Sequence, residues 1–325
     1  MAADDNTEGQ SQKKRAMPDF VKDALKTGTT RPQKPASPKR VIVNPLLTDS
    51  APFLLPFSSD TSRLVPDAVL RSALFCVMKR GERPFYKKPK EIASLENLKV
   101  FYAGEQLDQG DLDVWETVLH IHSTKKEELG TEIRMTGYEL LKLMGLTDSG
   151  KNRKILVDRL FRLTQSTVTI DTPKYRYDGG LLIGVLREKE TEHFLISLNP
   201  RIAVLFASTR FSQIDWVIRQ SLKGQQLAQW LHGFYATHAK PLPMKIETLH
   251  RLCGSTAAKL YHFKQELIKA LNIVSEVSTN NNQPFSYEII GDLVHVFKTA
   301  SKTQQKHLAS RTRKTTTTPA KLSPE

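Results

Sequence analysis

Two segments of the chain repeat one pattern, in which a helix, a short turn containing glycine and a second helix follow each other. The first segment is YELLKLMGLTDSGKNRKILVDRLFRL, and the second is KIETLHRLCGSTAAKLYHFKQELIKAL. Both contain the spacing L-x-x-L-x-G, which ends at Gly145 and at Gly254. A glycine there is typical of a helix that stops at a residue of positive φ. The recurrence of this helix-turn-helix predicts two tandem units of the same kind.

The second helix of the first unit has one apolar and one basic side. At about 100° per residue, three leucines share one side: Leu156, Leu160 and Leu163. The opposite side carries Lys151, Lys154 and Arg162, with Asp158 as its one acid. Asn152 lies near the start of this helix, where contacts with DNA bases concentrate. Because Lys and Arg bind phosphate and guanine and Asn binds adenine, the helix is predicted to recognise DNA.

A β-hairpin after the first helix-turn-helix would complete a winged helix. Strands are predicted in STVTI, LLIGVL and HFLISL, and a loop over 171–180 follows the first of them. Lys174 and Arg176 alternate with tyrosines at the tip of this loop. A wing of this kind contacts the DNA backbone or the minor groove, so both side chains are candidate DNA contacts.

The second unit repeats this plan with a less basic helix. A helix over 224–238 precedes it, and the recognition helix is expected to bury four apolar residues: Leu260, Phe263, Leu267 and Leu271. Its candidate DNA contacts are Ser255, Thr256, Lys259 and His262. Strands of the second wing are predicted in NIVSEV and SYEIIGDLVHVF, joined by an asparagine-rich turn at 280–282.

The predicted fold class is α+β, with two tandem winged-helix domains between disordered tails. The tails cover residues 1–62 and 299–325, and the domains cover 63–207 and 208–298. The chain carries a net charge of +14, which suggests a polyanionic partner. Much of this charge lies in the ends of the chain, so clustering on the recognition helices is more informative than the total.

Composition excludes several other classes of protein. Two cysteines cannot supply a disulfide framework or a cysteine-based zinc site. The N-terminus lacks the apolar core of a signal peptide, and the apolar runs are shorter than the ~20 residues of a membrane span. We therefore expect a cytoplasmic protein without a membrane partner, a cofactor, a bound metal or catalytic residues.

One motif favours a different function, because the triplet His120-Ile121-His122 resembles the metal-binding pair of nicking nucleases. It falls in DLDVWETVLHIH, whose apolar residues recur at helical spacing. On a helix, residues two apart point to different sides, which argues against a shared metal. His122 is then expected in the buried stripe and His120 at the surface. A nucleotide-driven helicase loader is also disfavoured, because DSGKNRK lacks the spacing of a phosphate loop.

Several segments, some of them outside the repeated pattern, resemble those of a known protein family. The order and spacing of five segments resemble those of the TrfA family: RSALF at 71–75, VWETVL, the first helix-turn-helix, VLFASTRFSQIDW and PLPMKIETLHRLCGS. The chain thus resembles replication initiators of broad-host-range bacterial plasmids over about 70–297.

The resemblance implies a function that composition does not reveal. The protein would bind double-stranded origin repeats, called iterons, as a monomer, help melt the origin and recruit the host replicative helicase with the host initiator protein. Dimers would be its inactive or regulatory form, and it would have no nuclease or ATPase activity. Some members carry a clamp-binding peptide, but TDSAPFLLPFSS lacks its glutamine, so a sliding-clamp contact is expected to be weak. A winged-helix transcriptional regulator of a plasmid gene remains the alternative.

Overall fold

The computed structural model of the protein describes residues 53–78, 81, 83–95, 97–206, 211–305 and 308–309. A first group of elements precedes the repeated pattern: β1 (Ser62–Pro66), α1 (Asp67–Leu70), β2 (Phe75–Cys76), β3 (Phe85–Ile92), β4 (Lys99–Glu105) and β5 (Leu107–Asp108). The predicted tails fall largely outside the described residues. Within the described part, no helix is long and apolar enough to cross a membrane.

The first unit contains α2 (Gln109–Lys125), β6 (Glu132–Thr136), α3 (Gly137–Leu143), α4 (Gly150–Thr164), β7 (Thr167–Asp171), β8 (Arg176–Gly179), β9 (Leu182–Arg187) and β10 (His193–Leu198). A 3-10 turn (Pro200–Ile202), α5 (Ala203–Phe206), β11 (Phe211–Asp215) and α6 (Trp216–Ser221) connect it to the second unit. The second unit contains α7 (Gln226–Ala236), β12 (Met244–Lys245), α8 (Ile246–Leu252), α9 (Leu260–Asn280), β13 (Phe285–Ile290) and β14 (Leu293–Lys298).

The two units share one topology. Each has a helix, a strand, a helix-turn-helix and a β-hairpin, and the strand orders β6-β10-β9 and β12-β14-β13 are equivalent. Both turn glycines, Gly145 and Gly254, have a φ of 63°. The Thr136 hydroxyl accepts from the backbone N–H of Glu139, and the Glu139 side chain completes a capping box at the start of α3. The predicted α+β fold of two tandem winged helices is confirmed.

The first wing differs from the prediction. Its strands are β9 and β10, whereas the predicted wing loop 171–180 contains the turn between β7 and β8 and all of β8. That hairpin belongs to a separate antiparallel sheet of order β3-β4-β7-β8. Pairing between strands so distant in sequence cannot be inferred from local alternation.

The second wing also differs. NIVSEV was predicted as a strand but lies within α9, which continues to Asn280, and both wing strands come from SYEIIGDLVHVF. The buried stripe Phe263, Leu267, Leu271 and Val274 runs on through this segment at helical spacing. A short apolar run such as NIVSEV is compatible with a helix or a strand, and here the helical period of the preceding residues continues through it. Leu260 was expected in the stripe but is 45 % exposed.

The segment before the first unit reaches both halves of the molecule. β1 pairs with β11, which follows the first unit in the chain. Val77 donates its backbone N–H to the carbonyl of Cys253 in the second helix-turn-helix, at 2.8 Å. Residues 53–58 lie against α2, where Leu55 is buried and Ser58 donates to Ser123. The second unit is therefore packed against chain that comes before the first.

A buried ion cluster lies where the two apolar cores meet. Arg219 in α6 is 1 % exposed and contacts Asp113 at 2.8 Å and Glu116, both in α2. Its guanidinium also donates to the Gln109 carbonyl at 3.1 Å and to the Gln229 carbonyl at 3.4 Å. Burial raises the pKa of Glu116 to about 8, against the lowering effect of Arg219. One arginine thus joins α2 of the first unit to α7 of the second.

The two histidines of the triplet do not form a metal site. His122 is fully buried, and neither of its ring nitrogens has a hydrogen-bond partner among the described residues. His120 was expected at the surface but is only 3 % exposed, and its Nδ1 lies 2.8 Å from the Ser58 hydroxyl. The docked segment 53–58 covers it, which the helical period alone could not indicate. In the described part of the chain, no three His, Cys, Asp or Glu side chains are grouped as metal ligands.

Replacement of Arg219 should destabilise the fold strongly. Arg219→Ala removes the guanidinium that contacts both Asp113 and Glu116, and loss of one partner of a buried ion pair costs about 3–5 kcal/mol. The free energy of unfolding from urea titration measures this. Arg134→Ala is the control, because Arg134 pairs with Glu188 at the surface and should cost less than about 1 kcal/mol. Equal losses in the two variants would contradict the assignment.

Buried histidines should make the protein less stable in mild acid. Burial lowers the pKa of His122 from 6.5 to about 4. Between these pH values the folded protein binds fewer protons than the unfolded chain, so the free energy of unfolding falls as the pH falls. His122→Leu should reduce by about one the number of protons taken up on unfolding. The free energy of unfolding from urea titration should then depend less steeply on pH. An unchanged slope would refute the prediction.

Candidate nucleic-acid interface

The start of α4 is shaped by the turn that precedes it. Ser149 caps the helix, since its hydroxyl accepts from the backbone N–H of Asn152 at 3.2 Å. The side-chain Nδ2 of Asn152 donates back to the Thr147 carbonyl at 2.8 Å and to its hydroxyl at 3.2 Å. The Asn152 amide is therefore engaged in holding the turn, which sequence spacing did not reveal.

The outer side of α4 presents two lysines. Lys151 and Lys154 are exposed, and neither forms an ion pair with any residue that the structure describes. Asp158 and Phe161 continue the same side of the helix, and Phe161 is 63 % exposed. The predicted buried leucines lie on the opposite side. This side of α4 thus offers cations and one apolar ring to a partner.

Arg162 does not belong to that exposed side, contrary to the helical projection. Its side chain is 11 % exposed and its guanidinium binds the fully buried carboxylate of Asp111 at 2.8 Å. Arg83 binds the same carboxylate at 3.2 Å. The projection placed Arg162 by angle alone and could not include α2, which packs against α4 and supplies the acid.

Arg153, near the start of α4, is exposed at the surface. Its Nε and a terminal nitrogen bind both carboxylate oxygens of Asp148, at 2.6 and 2.8 Å. A cavity of about 310 Å³ separates α4 from the first wing. Its lining is apolar at Leu156 and Phe194 and charged at Arg153 and Lys154, together with Arg187 and Glu192 of the wing.

The first wing carries charge of both signs. Arg187 pairs with Glu192 across its tip, and Glu188 accepts from Arg134 of β6 at 2.7 Å. The predicted wing cations lie elsewhere: Lys174 is in the turn between β7 and β8, and Arg176 starts β8. Arg176 pairs with Asp178 at 2.8 Å. The structure therefore places neither of them on the wing of the helix-turn-helix.

The second recognition helix brings its predicted residues together at its start. Thr256, Lys259 and His262 are exposed, and Lys259 is the N-cap residue of α9. The Ser255 hydroxyl accepts from the backbone N–H of Ala257 at 3.2 Å and so shapes the turn. All four predicted residues thus lie either in the loop before α9 or in the first turn of that helix.

Two exposed side chains of α9 were not predicted. Tyr261 is 66 % exposed, and Gln265, one helical turn later, donates its Nε2 to the Tyr261 hydroxyl at 2.7 Å. The Tyr261 and His262 rings meet edge to face, with centroids 5.7 Å apart. Tyr261 and Gln265 lie at i, i+4 spacing in the sequence, but neither carries a charge that would indicate contact with DNA.

Comparison of the sequence and the fold with known proteins finds relatives that match most of the chain. It is 28 % identical over 231 residues to the plasmid replication initiator protein TrfA of Escherichia coli, a match that covers 69 % of this chain and 58 % of that protein. The chain thus matches little more than half the length of that relative. A crystal structure of domains 2 and 3 of RctB has a TM-score of 0.49 at 11 % identity, covering 71 % of this chain and 98 % of that one.

A crystal structure of the Pi initiator protein in complex with iteron DNA has a TM-score of 0.42 at 9 % identity, covering 58 % of this chain and 91 % of that one. The model of the TrfA protein family matches residues 46–297, which is most of the chain and includes both helix-turn-helix units. The protein belongs to the TrfA family.

Proposed function

We propose that the protein is a sequence-specific DNA-binding initiator of plasmid replication that binds origin iterons. The observation that carries this proposal is the recurrence of an exposed polar side on both second helices of a tandem winged helix. Lys151 and Lys154 lie on α4, Lys259 is the N-cap residue of α9, and His262 lies in the first turn of α9. Membership of the TrfA family, whose E. coli relative is named a plasmid replication initiator, supports the same function.

The binding mechanism follows from charge and linkage. Exposed lysines neutralise phosphates and release counterions, so affinity should fall steeply as salt rises. Two recognition helices in one chain raise each other's effective concentration at a site that presents both half-sites. We infer a domain boundary near 207/208, close to the point where the apolar cluster ending at Ile214 gives way to the one beginning at Ile218.

The remaining functional inferences concern partners and location. The protein would act in the cytoplasm, assist origin melting and recruit the host replicative helicase with the host initiator protein. Self-association to a dimer would oppose initiation. A sliding-clamp contact through 53–57 has less support, because Leu55 is buried and Leu129 donates its backbone N–H to the Phe53 carbonyl. No catalytic residue, cofactor or metal is part of this proposal.

Lys154→Ala should weaken binding to the specific site by ~1–3 kcal/mol if Lys154 contacts a base. A gel-shift titration against an iteron-bearing fragment measures this change. Lys125→Ala is the matched control, because Lys125 is an exposed lysine at the end of α2. Wild-type affinity in Lys154→Ala would remove Lys154 from the interface.

Arg162→Ala should act on stability instead. It leaves the buried carboxylate of Asp111 with Arg83 as its remaining arginine, and a buried acceptor that loses a partner costs roughly 1–3 kcal/mol. Urea titration should show this loss, while affinity for the iteron fragment at a temperature where the variant is folded should be unchanged. Weaker binding by a fully folded variant would restore Arg162 as a DNA contact.

Plasmid maintenance tests the function itself. The gene and its flanking DNA, placed on a plasmid whose own origin is inactive in the host, should support replication, and footprinting should locate the repeats. Loss of the plasmid despite specific footprints would favour the transcriptional regulator. Metal-dependent nicking of the supercoiled plasmid would favour the nuclease and overturn the proposal.

A further inference from the structure

The outer side of α9 carries an amide that faces solvent, unlike the corresponding helix of the first unit. Tyr261, Gln265 and Lys269 follow each other at i, i+4 spacing and all three are exposed. The buried stripe of α9 lies on the other side of the helix. Gln265 is therefore in the middle of the surface that a recognition helix turns toward a DNA groove.

The hydrogen bond to Tyr261 fixes the orientation of this amide. A glutamine amide carries two N–H donors and one carbonyl acceptor. One Nε2 hydrogen is donated to the Tyr261 hydroxyl at 2.7 Å, so the nitrogen end of the amide faces the start of α9. The Tyr261 ring is itself in contact with the His262 ring. A side chain held in this way loses less conformational entropy when it binds.

The groups left on the amide match one base. The second Nε2 hydrogen and Oε1 form a donor–acceptor pair, which is complementary to N7 and the N6 amino group of adenine in the major groove. In the first unit the Asn152 amide donates to Thr147 instead, and lysines occupy the exposed side. The two helices thus present different chemistry to the DNA.

We propose that Gln265 reads an adenine in the major groove and that Tyr261 is the positioning residue for its amide. This proposal rests on the proposed function, since it requires that α9 binds a specific duplex. The second unit would then determine the choice of base at an A·T pair. The lysines of the first unit would supply phosphate contacts or guanine recognition.

Selection of binding sites from a pool of random duplexes tests the proposal with the full chain. The wild-type protein should select a motif with a strongly preferred adenine at one position. Gln265→Ala should lose about tenfold in preference at that position and keep the rest of the motif. Tyr261→Phe, which removes the hydroxyl and keeps the ring, should weaken the same preference by a smaller factor.

The controls separate the possible failures. Gln225→Ala removes an exposed glutamine at the start of α7 and should select the wild-type motif, and the thermal unfolding midpoints of all variants should match. An unchanged motif in Gln265→Ala overturns adenine reading while the proposed function stands. An unchanged motif in Tyr261→Phe overturns the positioning role. If the wild-type protein selects no motif, the proposed function fails as well.

Discussion

The arrangement of the two winged helices depends on the ion cluster around Arg219. This side chain follows the first apolar core in sequence and is buried against Asp113 and Glu116 of α2. It also donates to the Gln229 carbonyl in α7. A buried arginine requires partners on every side because desolvation of a charge is costly. The cluster draws its partners from α2, α6 and α7, so its contacts are complete only when these three helices are together.

The same coupling extends to both helix-turn-helix units. The Trp216 indole donates to the Leu143 carbonyl at 3.2 Å and Lys223 donates to the Met144 carbonyl, so residues next to Arg219 satisfy the end of α3. A Cβ atom at Gly145 would lie 2.6 Å from Gln220, and one at Gly254 would lie 2.7 Å from Cys76. Both glycines adopt a positive φ. At Gly254 the absence of a side chain also allows the segment around Cys76 and Ala73 to approach closely.

Local patterns predicted the repeated unit well, because its signals lie within a few residues of each other. The turn glycines Gly145 and Gly254 follow from the L-x-x-L-x-G spacing alone and need no knowledge of distant chain. The errors arose where distant segments decide the structure. The β7–β8 hairpin looked like a wing but pairs with β4. Arg162 looked solvated but meets Asp111, and His120 is covered by residues 53–58, which had been assigned to a disordered arm.

In the candidate interface, too, residue type and local spacing did not predict which side chains are free to contact a base. Residue type alone made Asn152 a reader of bases, but its amide holds the turn that starts α4. Gln265 carries no charge and so gives no electrostatic signal in the sequence, although its amide faces outward and is oriented by Tyr261. Phosphate contacts by cations dominate affinity for DNA but carry no sequence information, which comes from contacts with base edges. A tandem in which the first recognition helix presents lysines and the second an oriented amide would therefore assign recognition of an A·T pair to the second copy of the fold.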